Sequence, residues 1–162
     1  MPETGVKIGM SGHRRRVGAD WDWVRRAIDH HIVSLPHVTG LTSLATGADQ
    51  VFANTVLARG GSLVAVVPCC DGEPKVEAGH ENNFEQFRSQ ATSVICVEAG
   101  GPDEAYLQAG RLVVDLSDQM LFVWDGGPAR GAGGTADIVA YAASIRKPGI
   151  ILDPILKTAR RL

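Results

Sequence analysis

LFVWDGGPARGAGGTADIVAYAASI, residues 121–145, is the stretch on which the fold turns. Leu121 to Trp124 is a continuous apolar run of strand length, as in a strand buried on both faces. An acid and a turn follow, Asp125-Gly126-Gly127-Pro128, and then a glycine-rich loop, Gly131-Ala132-Gly133-Gly134-Thr135. Ile138, Tyr141, Ala142 and Ile145 then recur at helical spacing. Five of the nine residues from Gly126 to Gly134 are glycine, more than a plain connection needs. Glycine lets the backbone approach an anion closely, and the free N–H groups of a helix start point at it. The expectation is a phosphate site built from Asp125, Gly126, Gly131, Gly133, Gly134 and Thr135. The alternative is a merely flexible loop.

Upstream, Val6 to Met10 reads as a strand that ends in Ser11-Gly12-His13, followed by Arg14, Arg15 and Arg16. Three adjacent arginines on a loop usually make a solvated edge. Here they follow a strand, where a parallel sheet places its ligand crevice. Ser11, Gly12, His13 and Arg14 are therefore candidate ligand contacts, with Arg14 the first candidate for a phosphate. His13 reads equally as a ribose contact, an acid or base, or a plain turn residue. Asp20 is the expected N-cap of a helix from Trp21 to about Leu35, with Pro36 ending it. A second strand, Leu41 to Ala45, enters Thr46-Gly47-Ala48-Asp49 and a helix from about Gln50 to Arg59. This repeats the pattern of strand, polar glycine turn and helix. Thr46 and Gly47 are candidates for a second part of the ligand. Asp49 either favours the helix dipole or bonds a ribose hydroxyl.

Further along, Leu63 to Val67 reads as a strand stopped by Pro68, and residues 69–80 as a polar lid segment. A helix over Asn83–Ala91, a strand over Ser93–Val97 and a helix from Asp103 follow, with Tyr106 able to reach the crevice. Ile150 to Leu152 is the last expected strand, and the tail Lys157–Leu162 is expected to fray. Strands and helices alternate about six times, the pattern of a doubly wound, mainly parallel sheet with helices on both faces. The expected class is thus α/β, a modified Rossmann arrangement in a single domain over residues 1–162. The three motif turns, Ser11–Arg14, Thr46–Asp49 and Asp125–Thr135, all fall after strands, where such sheets bind ligands.

Composition narrows the field. Hydrophobic residues make up 44% and charged residues 21%, ordinary for a globular chain of 162 residues. A formal net charge of −2 gives no broad attraction to nucleic acid or membrane. No apolar run approaches the roughly 20 residues that span a bilayer, and the first residues lack a signal-peptide pattern. The reading is cytoplasmic. Three cysteines, Cys69, Cys70 and Cys96, are an odd and sparse set that fits a reducing compartment. With no second cysteine pair, no metal site is expected. The first strand lacks a GxGxxG, which argues against a dehydrogenase.

The segments GMSGHR (9–14), ATGADQVFA (45–53), VVDLSDQMLFVWDG (113–126) and GAGGTAD (131–137) resemble the SLOG superfamily of Rossmann-like domains over nearly the whole chain. That group includes the "lonely guy" phosphoribohydrolases, the lysine decarboxylase-like proteins and the DNA-processing, Smf-type proteins. The resemblance implies a nucleotide-like ligand on Gly133, Gly134 and Thr135, with no other cofactor. The phosphoribohydrolases carry PGGxGTxxE, whose glutamate takes part in cleaving the base from a ribose 5′-phosphate. Here the corresponding position is Ile138, and the nearest acid is Asp137, one position and about 100° of helix rotation away.

Three functions follow. The first is a binding or sensing module for a nucleotide, of ADP-ribose, NAD-like or monophosphate type. The second is a phosphoribohydrolase that uses Asp137 or Asp125, with Arg14 on the phosphate. The third, least favoured by charge, is a protein binding single-stranded nucleic acid. Oligomeric state is open, with a homodimer or higher homo-oligomer suggested by relatives that are commonly dimers.

Overall fold

A computed structural model of the chain describes residues 5–129 and 134–162. Thirteen elements are found among them. In order they are β1 (Val6–Gly12), α1 (Trp21–Ile32), β2 (Val38–Thr42), α2 (Ala48–Ala58), β3 (Ser62–Cys70), β4 (Glu73–Pro74), α3 (Glu81–Gln90), β5 (Ser93–Val97), α4 (Pro102–Leu116), β6 (Gln119–Val123), α5 (Thr135–Ser144), β7 (Gly149–Asp153) and β8 (Thr158–Arg161). Six strands form a parallel sheet in the order β5-β3-β2-β1-β6-β7. Two short antiparallel pieces extend it: β8 beside β7, and β4 folded back on the end of β3. The chain is α/β and Rossmann-like, as the alternation predicts.

Strand periodicity sorts the side chains into layers. Leu121 and Val123 of β6, with Ile8 and Met10 of β1, pack under α1 and α2. Met120 and Phe122, one residue out of phase, pack under α4 and α5 with Val113, Val114, Ile138 and Ala142. Leu63, Ala65 and Val67 of β3 meet Phe84 of α3 on the α2 side of the sheet. The apolar run at 121–123 is completely buried because helices cover both its faces.

Asp20 caps α1 as its sequence suggests, its carboxylate accepting from Trp23 N at 2.9 Å. The helix ends at Ile32, three residues before the expected Leu35, since the residue preceding Pro36 disfavours helical geometry. The second strand is Val38–Thr42, three residues earlier than the Leu41–Ala45 expectation. Thr39 and Gly40 break the apolar run, yet Gly40 belongs there: a Cβ on it would lie 3.0 Å from Phe52 and Val56 of α2. β3 does not stop at Pro68; it continues to Cys70, and the Pro68 carbonyl accepts from Lys75 N at 2.8 Å. The tail does not fray. Thr158–Arg161 is an exposed edge strand held by its backbone ladder to β7, and it lacks the apolar alternation that marks a strand in sequence.

The cysteine reading also changes. Cys69 and Cys96 are disulfide-bonded across the neighbouring strands β3 and β5, with Cα atoms 5.5 Å apart, leaving Cys70 as an exposed thiol. The sheet register brings together residues that are 27 apart in sequence. Among the described residues, no helix is long and apolar enough to cross a membrane.

Candidate functional site

The chain builds β1, β2, β3 and β5 outward in one direction, then returns to place β6 on the other side of β1. Connections from β1 and β6 thus leave toward opposite faces, the arrangement that opens a crevice at the strand ends. A cleft of about 330 Å³ lies there. That volume is at the lower end of the range for small-molecule sites, roughly 300–1,000 Å³. Ser11, Gly12, His13 and Arg14 line it from β1, Trp124 and Pro128 from the end of β6, and Gly134, Thr135 and Ala136 from the start of α5. Among the described residues, no side chain caps α5 at Gly134. The first amides of a helix lack an intrahelical partner, and here Thr135 and Ala136, which open α5, border the cleft.

The three arginines diverge. Arg16 Nε donates to Asp125 Oδ2 at 2.5 Å. Arg15 pairs with Glu77 Oε1 at 3.0 Å and lies 2.9 Å from His80 Nε2. Arg14 has no ion pair within 4 Å among the described residues; its guanidinium lies over the Tyr106 ring, 4.8 Å from the centroid. Cation–π stacking on Tyr106 orients that charge without neutralising it, so it stays available at the cleft wall.

Asp125 ties the loop after β6 to the loop after β1. Its Oδ1 accepts from Gly127 N at 2.9 Å and lies 3.2 Å from His13 Nε2. Gly126 supplies the positive φ (86°) that this turn requires. His13 Nε2 is also 3.1 Å from Asp125 N. Arg16, the Gly127 amide and His13 hold the Asp125 carboxyl down at about 2, against the cost of its burial. It is an ionised strut between two loops and does not line the cleft.

Asp49 behaves oppositely. It lines the cleft but is only 6% exposed. Burial pushes its carboxyl up to about 7, although Ala45 N (3.2 Å), Thr42, Ser43 and the Arg14 charge all favour ionisation. Near neutral pH it is partly protonated, which reduces its repulsion of an anion in the cleft. Its hydrogen bonds hold the turn 42–45 after β2, beyond a simple dipole role.

Other expected contacts stand elsewhere. Thr46 borders a smaller recess beside the cleft, and its hydroxyl donates to Glu77 Oε2 at 2.7 Å. Gly47 packs on the β1 loop: its φ is 87°, and a Cβ would come 2.2 Å from Arg14 O. Asp137 is exposed in the first turn of α5, its amide bonded to Gly134 O. Gly131 and Gly133 lie outside the described residues. Trp124 packs on the α4–α5 core and lines the cleft, with Nε1 donating to Gly127 O at 2.9 Å. Tyr106 does reach the crevice. Sequence reasoning missed Ser43 and Asp103, which line the cleft with no motif to mark them.

No family model matches the chain, and no curated protein sequence matches it. Solved structures do. DNA processing protein A from Helicobacter pylori, whose single-stranded DNA binding mode has been described, aligns over 93% of this chain and 66% of its own, at 18% identity and a TM-score of 0.66. DNA processing protein A from Streptococcus pneumoniae aligns over 92% and 50%, at 14% and 0.64. The Moco carrier protein from Chlamydomonas reinhardtii aligns over 91% and 76%, at 17% and 0.53. The chain spans only two thirds to one half of the two DNA-processing proteins. Identities this low speak for architecture alone, a Rossmann-like sheet with its crevice between β1 and β6.

Proposed function

We propose that this chain binds a nucleotide or nucleotide derivative by its phosphate in the β1–β6 crevice, as a sensor or binding module. One observation carries the reading: Arg14, which has no ion pair within 4 Å among the described residues, and the start of α5 line the same cleft. A fixed positive charge beside the amides of a helix start suits an anion. Ser11, Gly12 and Thr135 add polar groups beside it. Trp124 and Tyr106 add aromatic surface on which a base can stack.

Hydrolysis of the N-glycosidic bond has less support. Asp125 is held ionised by Arg16 and His13 outside the cleft lining, a poor position for a base. Asp137 is exposed on α5. Single-stranded nucleic acid is the second reading, favoured by the fold likeness to the Helicobacter pylori protein and opposed by the net charge of −2. A gel shift that saturates with single-stranded DNA at low salt would establish it.

The deciding experiment incubates the protein with nucleoside monophosphates, cytokinin ribotides, NAD and ADP-ribose. Bound and free fractions are separated by ultrafiltration and identified by mass spectrometry. An intact nucleotide retained by the wild type and lost in Arg14→Gln and Gly134→Trp is expected. Free base with ribose 5-phosphate in the filtrate would show a phosphoribohydrolase instead. Neither retention nor product would refute the nucleotide reading.

A further inference from the structure

We infer that the recess beside Arg14 is a second anion subsite, filled by the chain's own Glu77, and that the crevice ligand carries a second anionic group, as a pyrophosphate-linked nucleotide does. The inference rests on the nucleotide reading above and narrows its ligand class.

The recess adjoins the main cleft and shares Arg14, Ser43, Ala45 and Tyr106 with it. With Glu77 in place only about 20 Å³ is open, against about 330 Å³ in the cleft. Glu77 sits there as an anionic ligand would. One carboxylate oxygen accepts from the Thr46 hydroxyl at 2.7 Å, and the other lies 3.0 Å from Arg15. The Thr46 hydrogen bond, and after it the charges of Arg15, His80 and Arg14, hold the carboxyl below its usual range. Among the described residues that line the recess, Glu77 is the sole acid, while Arg14, Lys75 and His80 are all potential cations. One carboxylate does not neutralise that set.

Carboxylate and phosphate oxygens are recognised by the same hydroxyl and guanidinium donors. A ligand anion can therefore exchange for Glu77 without leaving Thr46 or Arg15 unpaired. Glu77 lies in the 75–80 connection, outside any helix or strand, between the β3–β4 hairpin and α3. Its withdrawal breaks no sheet ladder. Arg14 borders both spaces, so one phosphate at α5 and a second at Thr46 would flank the same guanidinium. A monophosphate would occupy the first position alone.

The test is calorimetric titration of the full chain with inorganic phosphate, inorganic pyrophosphate, AMP and ADP. It compares wild type, Glu77→Gln and Glu77→Gln/Arg15→Gln, with circular dichroism confirming the fold. The uncharged glutamine keeps an acceptor for Thr46 but no longer competes as an anion. Glu77→Gln is expected to bind pyrophosphate and ADP at least tenfold more tightly, about 1.4 kcal/mol. Phosphate and AMP should change less than about threefold, and adding Arg15→Gln should reverse the gain. Unchanged pyrophosphate and ADP binding would overturn the subsite while leaving AMP binding, and with it the nucleotide reading, intact. A pyrophosphate gain with no binding of either nucleotide would uphold the subsite and refute the nucleotide reading. Equal gains for all four probes would overturn the inference as a general charge effect. So would a gain confined to an oligothymidylate run in parallel, which would favour a nucleic-acid strand.

Discussion

Replacing Asp49 by asparagine should stabilise the protein at pH 8, and by progressively less toward pH 5. Asp49 is 6% exposed at the start of α2, and its carboxyl is raised by burial from 3.8 to about 7. In the unfolded chain it ionises near pH 4, and in the folded chain only near 7. Between those values the folded state holds the extra proton, so stability falls as pH rises through the window and is level above it. A shift of about three units corresponds to roughly 4 kcal/mol at most. Relaxation around the ionised group makes roughly 2–4 kcal/mol the fair expectation. Asparagine keeps the shape and an acceptor for the Ala45 amide at 3.2 Å in the wild type, and it never ionises. Urea denaturation of both proteins at half-unit steps from pH 5 to 8 isolates the effect, because titrations common to both cancel in the difference. A difference that does not grow with pH would refute the argument. It would mean that the hydrogen bonds from the 42–45 turn and the Arg14 charge outweigh burial.

Asp125→Asn should show the opposite sign. Its carboxyl is held at about 2, so its contribution is present above pH 4 and lost as pH falls from about 4 to about 2. The variant should lose roughly 2 kcal/mol at pH 7 and nothing at pH 2, read by denaturant titration at each pH. Gly47→Ala should cost more than about 3 kcal/mol, since a positive φ is compounded by a clash with the Arg14 carbonyl. Gly60→Ala, at a φ of 76° with nothing within 4 Å of the new Cβ, should cost only roughly 1 kcal/mol in the same assay. Asp137→Asn should leave nucleotide retention within about twofold, measured by ultrafiltration, because an exposed carboxylate contributes little to binding. A larger loss would make Asp137 a ligand contact.

Legibility in the sequence followed the physics of each element. The parallel strands were readable because Leu121–Val123 and Leu63–Val67 are apolar runs covered on both faces. Boundaries failed where a tertiary neighbour decided them. Gly40 reads as a breaker, but it is a strand residue that leaves room for Phe52 and Val56. β8 was invisible because its side chains are exposed and only its backbone is paired. At the site, the three motif turns were visible as glycine and hydroxyl clusters after strands. The division of labour within them was not. Gly47 looks like a ligand loop, yet it serves as the spot where α2 meets the β1 loop, with Ala48 N bonded to His13 O at 3.1 Å. The Cys69–Cys96 pairing depended on strand order, which spacing does not encode.

The arginine triplet shows why this site needs its surroundings to be understood. Arg14, Arg15 and Arg16 are equivalent in sequence, and a loop cannot aim three consecutive side chains at one anion. Each finds a different partner within reach. Arg16 closes on Asp125 and so fixes the β6 loop relative to β1. Arg15 turns to Glu77 and tethers the 75–80 connection over the recess. Arg14 meets an aromatic ring, which holds a guanidinium in place and leaves its charge intact. The first two pairings build the walls of the crevice, and the third leaves a cation facing into it. Exchanging Tyr106 for leucine should therefore weaken nucleotide retention without removing any contact of the β1 loop to Asp125. Arg14 would lose the surface that positions it, whereas Arg16→Gln would loosen the wall itself and lower the stability that Asp125 supplies above about pH 4.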